Sequence, residues 1–443
     1  MNWLSLLSQP ARYLRQIERL QKKHVSRPTL YELQQSGVPL ATLYRQRRAF
    51  SRRLAREVTI GRYAFGPVVL REVELDRLRT LHAFELQDAL VSGVLAELLF
   101  TAQKLLGKGA RVFSYQAGRS HHAALAELAV YMRRHRRARS DPRQRGLFVL
   151  RRDVARYGDS IVVRDGAPLW QQLEGLVAQS AGRECPCEVT MALLRQAVRP
   201  PRLVDATGPV ERSRGIPDGS PISPALANLH LIELDDALAG VEGAFYARYG
   251  DDFLFAHPDA QVARAASATI DAKLRGLGLQ INVEKAATVF FSGAGRPSES
   301  WPELGGTTHL TFVGHSLSFQ GGVAPKPARV AAFFAALERR VALAARALAD
   351  ETLEARGSAL CAVVNTALDV RNPWALPLTG PLLAGCTDRA KLAQLDYRIA
   401  RIVARGATGV ASPSALRIVS WRRLRQSWGL ASLTQLRDRR GRP

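Results

Sequence analysis

Asp251 and Asp252 stand side by side at a Tyr-Gly corner, Phe245-Tyr246-Ala247-Arg248-Tyr249-Gly250-Asp251-Asp252-Phe253-Leu254, with apolar and aromatic residues on both flanks. The pattern predicts a β-hairpin that presents both carboxylates at its turn. Two like charges held together repel unless a multivalent cation or strong donors occupy the site. Alone, the pair fits an ordinary surface turn equally well, because Gly-Asp is common turn chemistry. A third carboxylate changes that comparison. Asp153 follows the run Leu147-Phe148-Val149-Leu150-Arg151-Arg152, whose apolar start reads as a buried strand. A strand-end carboxylate opposite a hairpin pair can hold two Mg2+ ions, hard cations that prefer oxygen. Ions held in this way activate an attacking oxygen and stabilise a leaving one in phosphoryl transfer.

The elements that must position these residues belong to a chain of 443 residues, long enough for two or three packed units, with a globular hydrophobic content of 47%. Its 63 Lys and Arg against 39 Asp and Glu leave a net charge of +24. An excess this large points to a polyanionic partner, since neutralising phosphates releases counterions. No apolar run is long enough to span a membrane and no signal peptide is evident, so a cytoplasmic protein is expected. The four cysteines, Cys185, Cys187, Cys361 and Cys386, form no zinc-ligand framework and read as reduced thiols.

Residues 1–57 are basic and helical in pattern, and Leu30 to Arg45 reads either as a helix-turn-helix or as two packed helices. Residues 58–325 mix α and β. They hold strands at Val68–Arg71 and Leu78–Leu81, helices through Leu86–Leu106 and Ala123–Arg137, an Arg-dense exposed loop over 133–145 and a second loop over 292–308. Residues 326–443 turn Ala-, Leu- and Arg-rich with helical periodicity over 328–350 and 388–404, predicting a helical module.

Six ordered blocks resemble those of the bacterial reverse transcriptases. They are Phe113-Ser114-Tyr115-Gln116-Ala117-Gly118-Arg119-Ser120; Leu150 through Ile161 around Asp153; Gly215-Ile216-Pro217-Asp218-Gly219-Ser220-Pro221-Ile222-Ser223-Pro224, close to a Gly-Leu-Pro-Gln-Gly-Ser-Pro-Leu-Ser-Pro signature; Tyr249-Gly250-Asp251-Asp252; Leu277-Gly278-Leu279 through Lys285; and Phe312-Val313-Gly314. The resemblance covers roughly residues 60–315. It implies an α/β (α+β) right hand, with fingers and palm built on an antiparallel sheet and a helical thumb-like module behind them. It also implies an RNA-directed DNA polymerase that uses two Mg2+ ions, or Mn2+ in their place, held by Asp153, Asp251 and Asp252. Arg71 and Arg79 match finger positions that clamp the incoming triphosphate. Tyr157, Gly158, Asp218, Gly219, Ser220 and Lys285 match positions around the nucleotide or primer; each basic residue taken alone reads as surface charge.

Two departures stand out. Asp218 replaces the signature Gln, placing a carboxylate where relatives offer an amide. Gly158 stands five residues after Asp153, where a bulky aromatic usually excludes the ribose 2′-hydroxyl; the aromatic is shifted to Tyr157. Weakened rejection of ribonucleotides is expected unless Tyr157 or another side chain fills the space. The chain lacks the Ser-Gln ending of diversity-generating enzymes, the Val-Thr-Gly thumb motif of retron enzymes and the Cys/His endonuclease of intron maturases. What remains is most similar to the uncharacterised and defence-associated (abortive-infection-type) enzymes. That similarity implies a role in antiphage defence with an associated noncoding RNA as template or scaffold, dNTPs as substrates and a DNA product. Priming from a protein hydroxyl and an oligomeric state are both left open. The alternatives are a group II intron-like maturase or RNA scaffold with secondary polymerase activity, and a DNA-binding regulator built on residues 28–45.

Overall fold

The computed structural model describes residues 1–26, 35–36, 40–74, 78–183, 187–372, 374–376, 379, 386–411 and 414–439. Most of the segment read as a helix-turn-helix, and Cys185 with it, lies outside them. The chain forms two compact units, each built from two stretches of sequence: Met1–Ser120 with Phe148–Thr288, and His121–Leu147 with Val289–Pro443.

The first unit carries two sheets. One runs in the order β1-β3-β2-β5-β6, from Gln35–Ser36 (β1), Val68–Glu74 (β2), Leu78–Glu85 (β3), Leu203–Asp205 (β5) and Gly208–Pro209 (β6). Its centre is the antiparallel pair β2–β3, in which Val73 faces Arg79 and Arg71 faces Leu81. Side chains of residues two apart share a face, so Arg71 and Arg79 lie on the same one. The second sheet, in the order β9-β4-β8-β7, joins Leu147–Asp153 (β4), Phe245–Tyr249 (β7), Asp252–His257 (β8) and the strand that begins at Ala287 (β9, Ala287–Phe291). Both β4–β8 and β7–β8 are antiparallel. β4 begins with four buried residues and β8 buries Phe253 through His257, as expected of strands covered on both faces.

Helices supply the cover. Leu86–Leu105 is buried nearly all round and forms the axis of the unit. Ala260–Gly276 starts where the Asp259 carboxylate accepts from the Gln261 and Val262 amides at 2.6 and 3.3 Å. From residues 1–57, Trp3, Leu7, Tyr13, Ile17 and Leu54 join the hydrophobic cluster that contains Phe253 and Leu150.

The second unit contains the helix His121–Arg137 and a three-stranded meander, His309–Phe312 (β11), His315–Ser318 (β12) and Val323–Pro325 (β13), with the short β10 (Gly306–Thr307) parallel to the end of β9. Helices Pro327–Ala347, Leu353–Leu368 and Arg389–Thr408 then enclose their own apolar cluster around Phe333, Leu360 and Ile399. One local expectation is corrected. The Arg-dense stretch from 133 remains helical through Arg137, and Pro142–Arg145 forms a 3-10 turn. Arginine is a good helix former, and cations at a helix C-terminus are favoured by its dipole.

Candidate active site

The hairpin closes as its sequence dictates. Gly250 takes a φ of +68°, a left-handed conformation that costs glycine nothing, and Tyr249 pairs with Asp252 across the turn. β8 then runs antiparallel to β4 with Asp252 directly opposite Asp153. Asp251 adds its backbone carbonyl, which accepts from the Val154 amide at 3.2 Å. Two carboxylates in cross-strand register, with a third next in sequence, are an arrangement that costs energy without a cation.

Cationic side chains bear on that cost. Lys285 Nζ donates to both oxygens of Asp153 at 3.1 and 3.0 Å. The Asp153 carbonyl accepts from the Asn282 amide at 2.7 Å, which holds the segment bearing Lys285 against the end of β4. Arg151 Nε stands 3.6 Å from Asp252 Oδ1. The oxygens of the three aspartates do not all lie within 4.8 Å of one another, the distance at which one ion could gather them. The donor set is nonetheless what a hard divalent cation requires, carboxylate oxygens with an ammonium already drawn to one of them. Asp153, Asp251 and Asp252 would hold Mg2+, which when bound supplies charge neutralisation and an activated oxygen nucleophile.

A buried network that sequence reasoning missed anchors the turn. Arg248 on β7 is wholly buried and forks onto Asp235, Nε to Oδ1 at 2.7 Å and Nη2 to Oδ2 at 2.6 Å. Tyr246 donates its hydroxyl to Asp235 at 2.7 Å. Arg248 Nη1 donates to the Gly250 carbonyl at 3.0 Å, and Nη2 to the Asn228 carbonyl at 3.1 Å. Burial alone would lower the Arg248 pKa, but the charge and hydrogen bonds of Asp235 raise it, so the guanidinium keeps its charge. The guanidinium thus ties the carbonyl at the acidic corner to the helices Ser223–His230 and Ile232–Ala239. The signal available in sequence was an Arg at an inward-facing strand position.

Around this corner the nucleotide-side residues divide. Asp218, 47% exposed, stands with Oδ2 4.0 Å from Arg79 Nη1, so the substituted carboxylate faces the arginine expected to take the triphosphate. The Asp218 carbonyl also accepts from the His82 amide at 2.8 Å, fixing the loop against β3. Gly219 has a φ of +90°, and Ser220 is buried with its amide on the Pro217 carbonyl at 3.0 Å. Arg71 shares the β2–β3 face with Arg79.

Tyr157, the shifted aromatic, packs into the core of the first unit. It is buried and donates its hydroxyl to the Ala227 carbonyl at 2.6 Å. A Cβ added at Gly158 would meet only Ile216 Cγ1, at 3.8 Å, so the space beside it is open. Tyr115 is the aromatic at the corner. Its segment joins β7 through the Phe113 amide on the Arg248 carbonyl at 2.8 Å, and its own φ is +58°. Desolvation first, then the charges of Asp251, Tyr249 and Asp218, push its pKa up, although 59% of its surface is exposed.

Residues 178–317 match the family described as reverse transcriptase (RNA-dependent DNA polymerase). The match includes Asp218, Gly219, Ser220, Asp251, Asp252 and Lys285; Asp153, Arg71, Arg79, Tyr157 and Gly158 precede it. No curated protein matches the chain. Among solved structures, similarity is found to apo telomerase from Candida tropicalis truncated from its C-terminal domain (12% identity, 59% of this chain and 55% of that one, TM-score 0.45). It is found also to telomerase from Candida albicans in complex with the TWJ fragment of telomeric RNA (14% identity, 86% and 66%, TM-score 0.46). The chain thus spans 55% and 66% of those two lengths. Likeness at that level carries no argument about activity. The fold is a mixed α/β one. Within it, residues 178–317 are the part that matches the reverse transcriptase family.

Proposed function

We propose that the chain is an RNA-directed DNA polymerase whose nucleotidyl transfer is centred on Asp153, Asp251 and Asp252. The observation that carries this reading is the cross-strand register of Asp153 and Asp252 beside the Gly250 turn, with Asp251 and Asp252 inside the segment that matches the reverse transcriptase family. The chain's own residues would do the positioning. Arg79 and Arg71 bind and orient the triphosphate, Gly219 lets backbone approach it, and the Arg248–Asp235 network holds the acidic corner still. RNA template, dNTPs and DNA product are the ligands this implies. A cavity of about 1300 Å³ in the second unit, lined by Arg133, Arg136, Arg137, Arg139, Arg143 and Arg296, has the charge to take a nucleic-acid backbone. Primer extension on an RNA template with Mg2+ tests the reading. Asp251→Asn and Asp252→Asn should each reduce the rate at least about 100-fold, the scale of losing a group that acts on the transition state. Near-wild-type extension by both variants would falsify it.

The biological setting we propose is antiphage defence in the cytoplasm, with a noncoding RNA as template or scaffold. The support is the similarity of the motif set to the defence-associated enzymes and the absence of the motifs that mark the other branches. Phage plating on cells expressing the protein, with and without Asp251→Ala/Asp252→Ala, tests it. Protection that survives the double change favours instead the scaffold reading, to which the Arg-lined cavity also lends support.

A further inference from the structure

Away from the acidic corner, the second unit gathers three histidines. His121 and His122 open the helix His121–Arg137, and His315 opens β12. Their ring centroids are 3.8 Å apart for His121 and His122, and 5.4 Å from each of these to His315. One ligand atom from each comes within 4.8 Å of the other two, the only such group of three His, Cys, Asp or Glu side chains among the described residues.

The ring of His315 is set up as a ligand. It is wholly buried, and Nδ1 lies 3.1 Å from the Val313 carbonyl. A carbonyl only accepts, so Nδ1 carries the hydrogen and the lone pair of the neutral ring lies at Nε2. This is how a supporting carbonyl orients a metal-binding imidazole. His315 Nε2 and His122 Nε2 are both buried without a hydrogen-bond partner. Mere packing of three rings would leave both atoms unsatisfied, at about 1–3 kcal/mol each. The turn that delivers His315 is itself strained. Val313 has a φ of +40°, an outlier for a β-branched residue, ahead of Gly314 at +78°.

We propose that His121, His122 and His315 form a binding site for a divalent transition-metal ion, Zn2+ in the first place, that joins the start of the helix to the β11–β12 hairpin. Three imidazole nitrogens suit Zn2+ and leave a fourth position for an exchangeable ligand. Arg329, whose charge acts on both His121 and His315, raises the cost of a bare dication there and favours an anion as that fourth ligand. The soft-to-borderline nitrogen set separates this site chemically from the all-oxygen acidic corner.

The test uses tag-free, full-length protein stripped with chelator and desalted. Zn2+ affinity is read by competition with a chromophoric chelator, and Co2+ by its visible spectrum. The expected result is one tight equivalent of Zn2+ and strong Co2+ bands of a four-coordinate ion. His315→Asn keeps a donor for the Val313 carbonyl and removes Nε2; His121→Ala changes a half-buried position. With folding checked by circular dichroism, each should weaken binding by more than about 100-fold, beyond the usual loss from a supporting-shell change. Asp251→Asn/Asp252→Asn should leave it unchanged, so the result is independent of polymerase activity. Wild-type protein that takes up no stoichiometric Zn2+, or histidine variants that bind as tightly as wild type, would overturn the site.

Discussion

Asp218 and Gly158 are the two residues at which this chain departs from the sequences it resembles, and each has a distinct physical consequence. The Asp218 carboxylate and the Arg79 guanidinium are about 4 Å apart and both partly exposed, an ion pair worth up to ~1 kcal/mol. A triphosphate that recruits Arg79 must displace that pairing. Asp218→Gln should therefore lower the KM for dNTPs by up to about fivefold with little change in kcat, since the lost contact opposes binding rather than the chemical step. Steady-state kinetics on an RNA template would show it, and an unchanged or raised KM would count against the competition. At Gly158 an added Cβ would meet only Ile216, at an ordinary contact distance of 3.8 Å. Gly158→Phe should raise the dNTP-to-rNTP selectivity on the order of tenfold, as steric exclusion of a single group allows. Strong rejection of rNTPs by the wild type would instead point to the exposed ring of Tyr115 as the side chain that fills the space.

The strand β7 owes its fixed position to a charge that never meets solvent. Asp235 neutralises Arg248, and Arg248 in turn holds the carbonyl of Gly250. Asp235→Ala leaves a buried guanidinium without its counter-charge, so it should cost about 3–5 kcal/mol of stability. Extension activity should also fall under conditions where the variant is still folded, because the acidic turn loses its anchor. Urea denaturation beside primer extension measures both; a loss below ~1 kcal/mol would show that the fork is not the support it resembles. This element also marks the limit of what the sequence made legible. The hairpin Phe245–Leu254 and the strand from Leu147 could be read because apolar runs and turn residues report local geometry. The β2–β3 pair was found but drawn short, because Glu72 and Glu74 look like loop residues until one sees the exposed end of a hairpin. The partner of Arg248 lies on another element, and no periodicity reports a contact between side chains on separate elements. The His121, His122 and His315 group was invisible for the same reason, with nearly two hundred residues between its parts.

Across the whole molecule, buried histidines set the response to acid. His82 and His230 in the first unit and His135 in the second are nearly inaccessible, and desolvation first lowers their pKa values to about 3, 4 and 4. The charge of Arg212 lowers that of His82 further, and that of Arg139 lowers that of His135. Arg212 Nη1 lies 2.7 Å from His82 Nε2, so that nitrogen accepts and the ring is neutral. In the unfolded chain these rings take up protons near pH 6.5, whereas in the folded chain they do so only near 3 to 4. Between those values the unfolded state binds more protons, so stability falls as pH falls. Asp88 works in the opposite sense. Burial raises its pKa to about 6 despite the Tyr63 and Gly66 hydrogen bonds, so it favours the folded state below that pH and opposes it above. One carboxyl against three rings leaves the histidines dominant, and the net charge of +24 adds self-repulsion as the remaining carboxylates are neutralised. The unfolding free energy read from urea titrations should therefore drop steadily from pH 7 to pH 4, on the order of several kcal/mol in total. His82→Gln, which stays neutral and keeps an acceptor for Arg212, should flatten the part of that slope due to the first unit. A slope unchanged by this substitution would show that His82 does not contribute to the acid sensitivity.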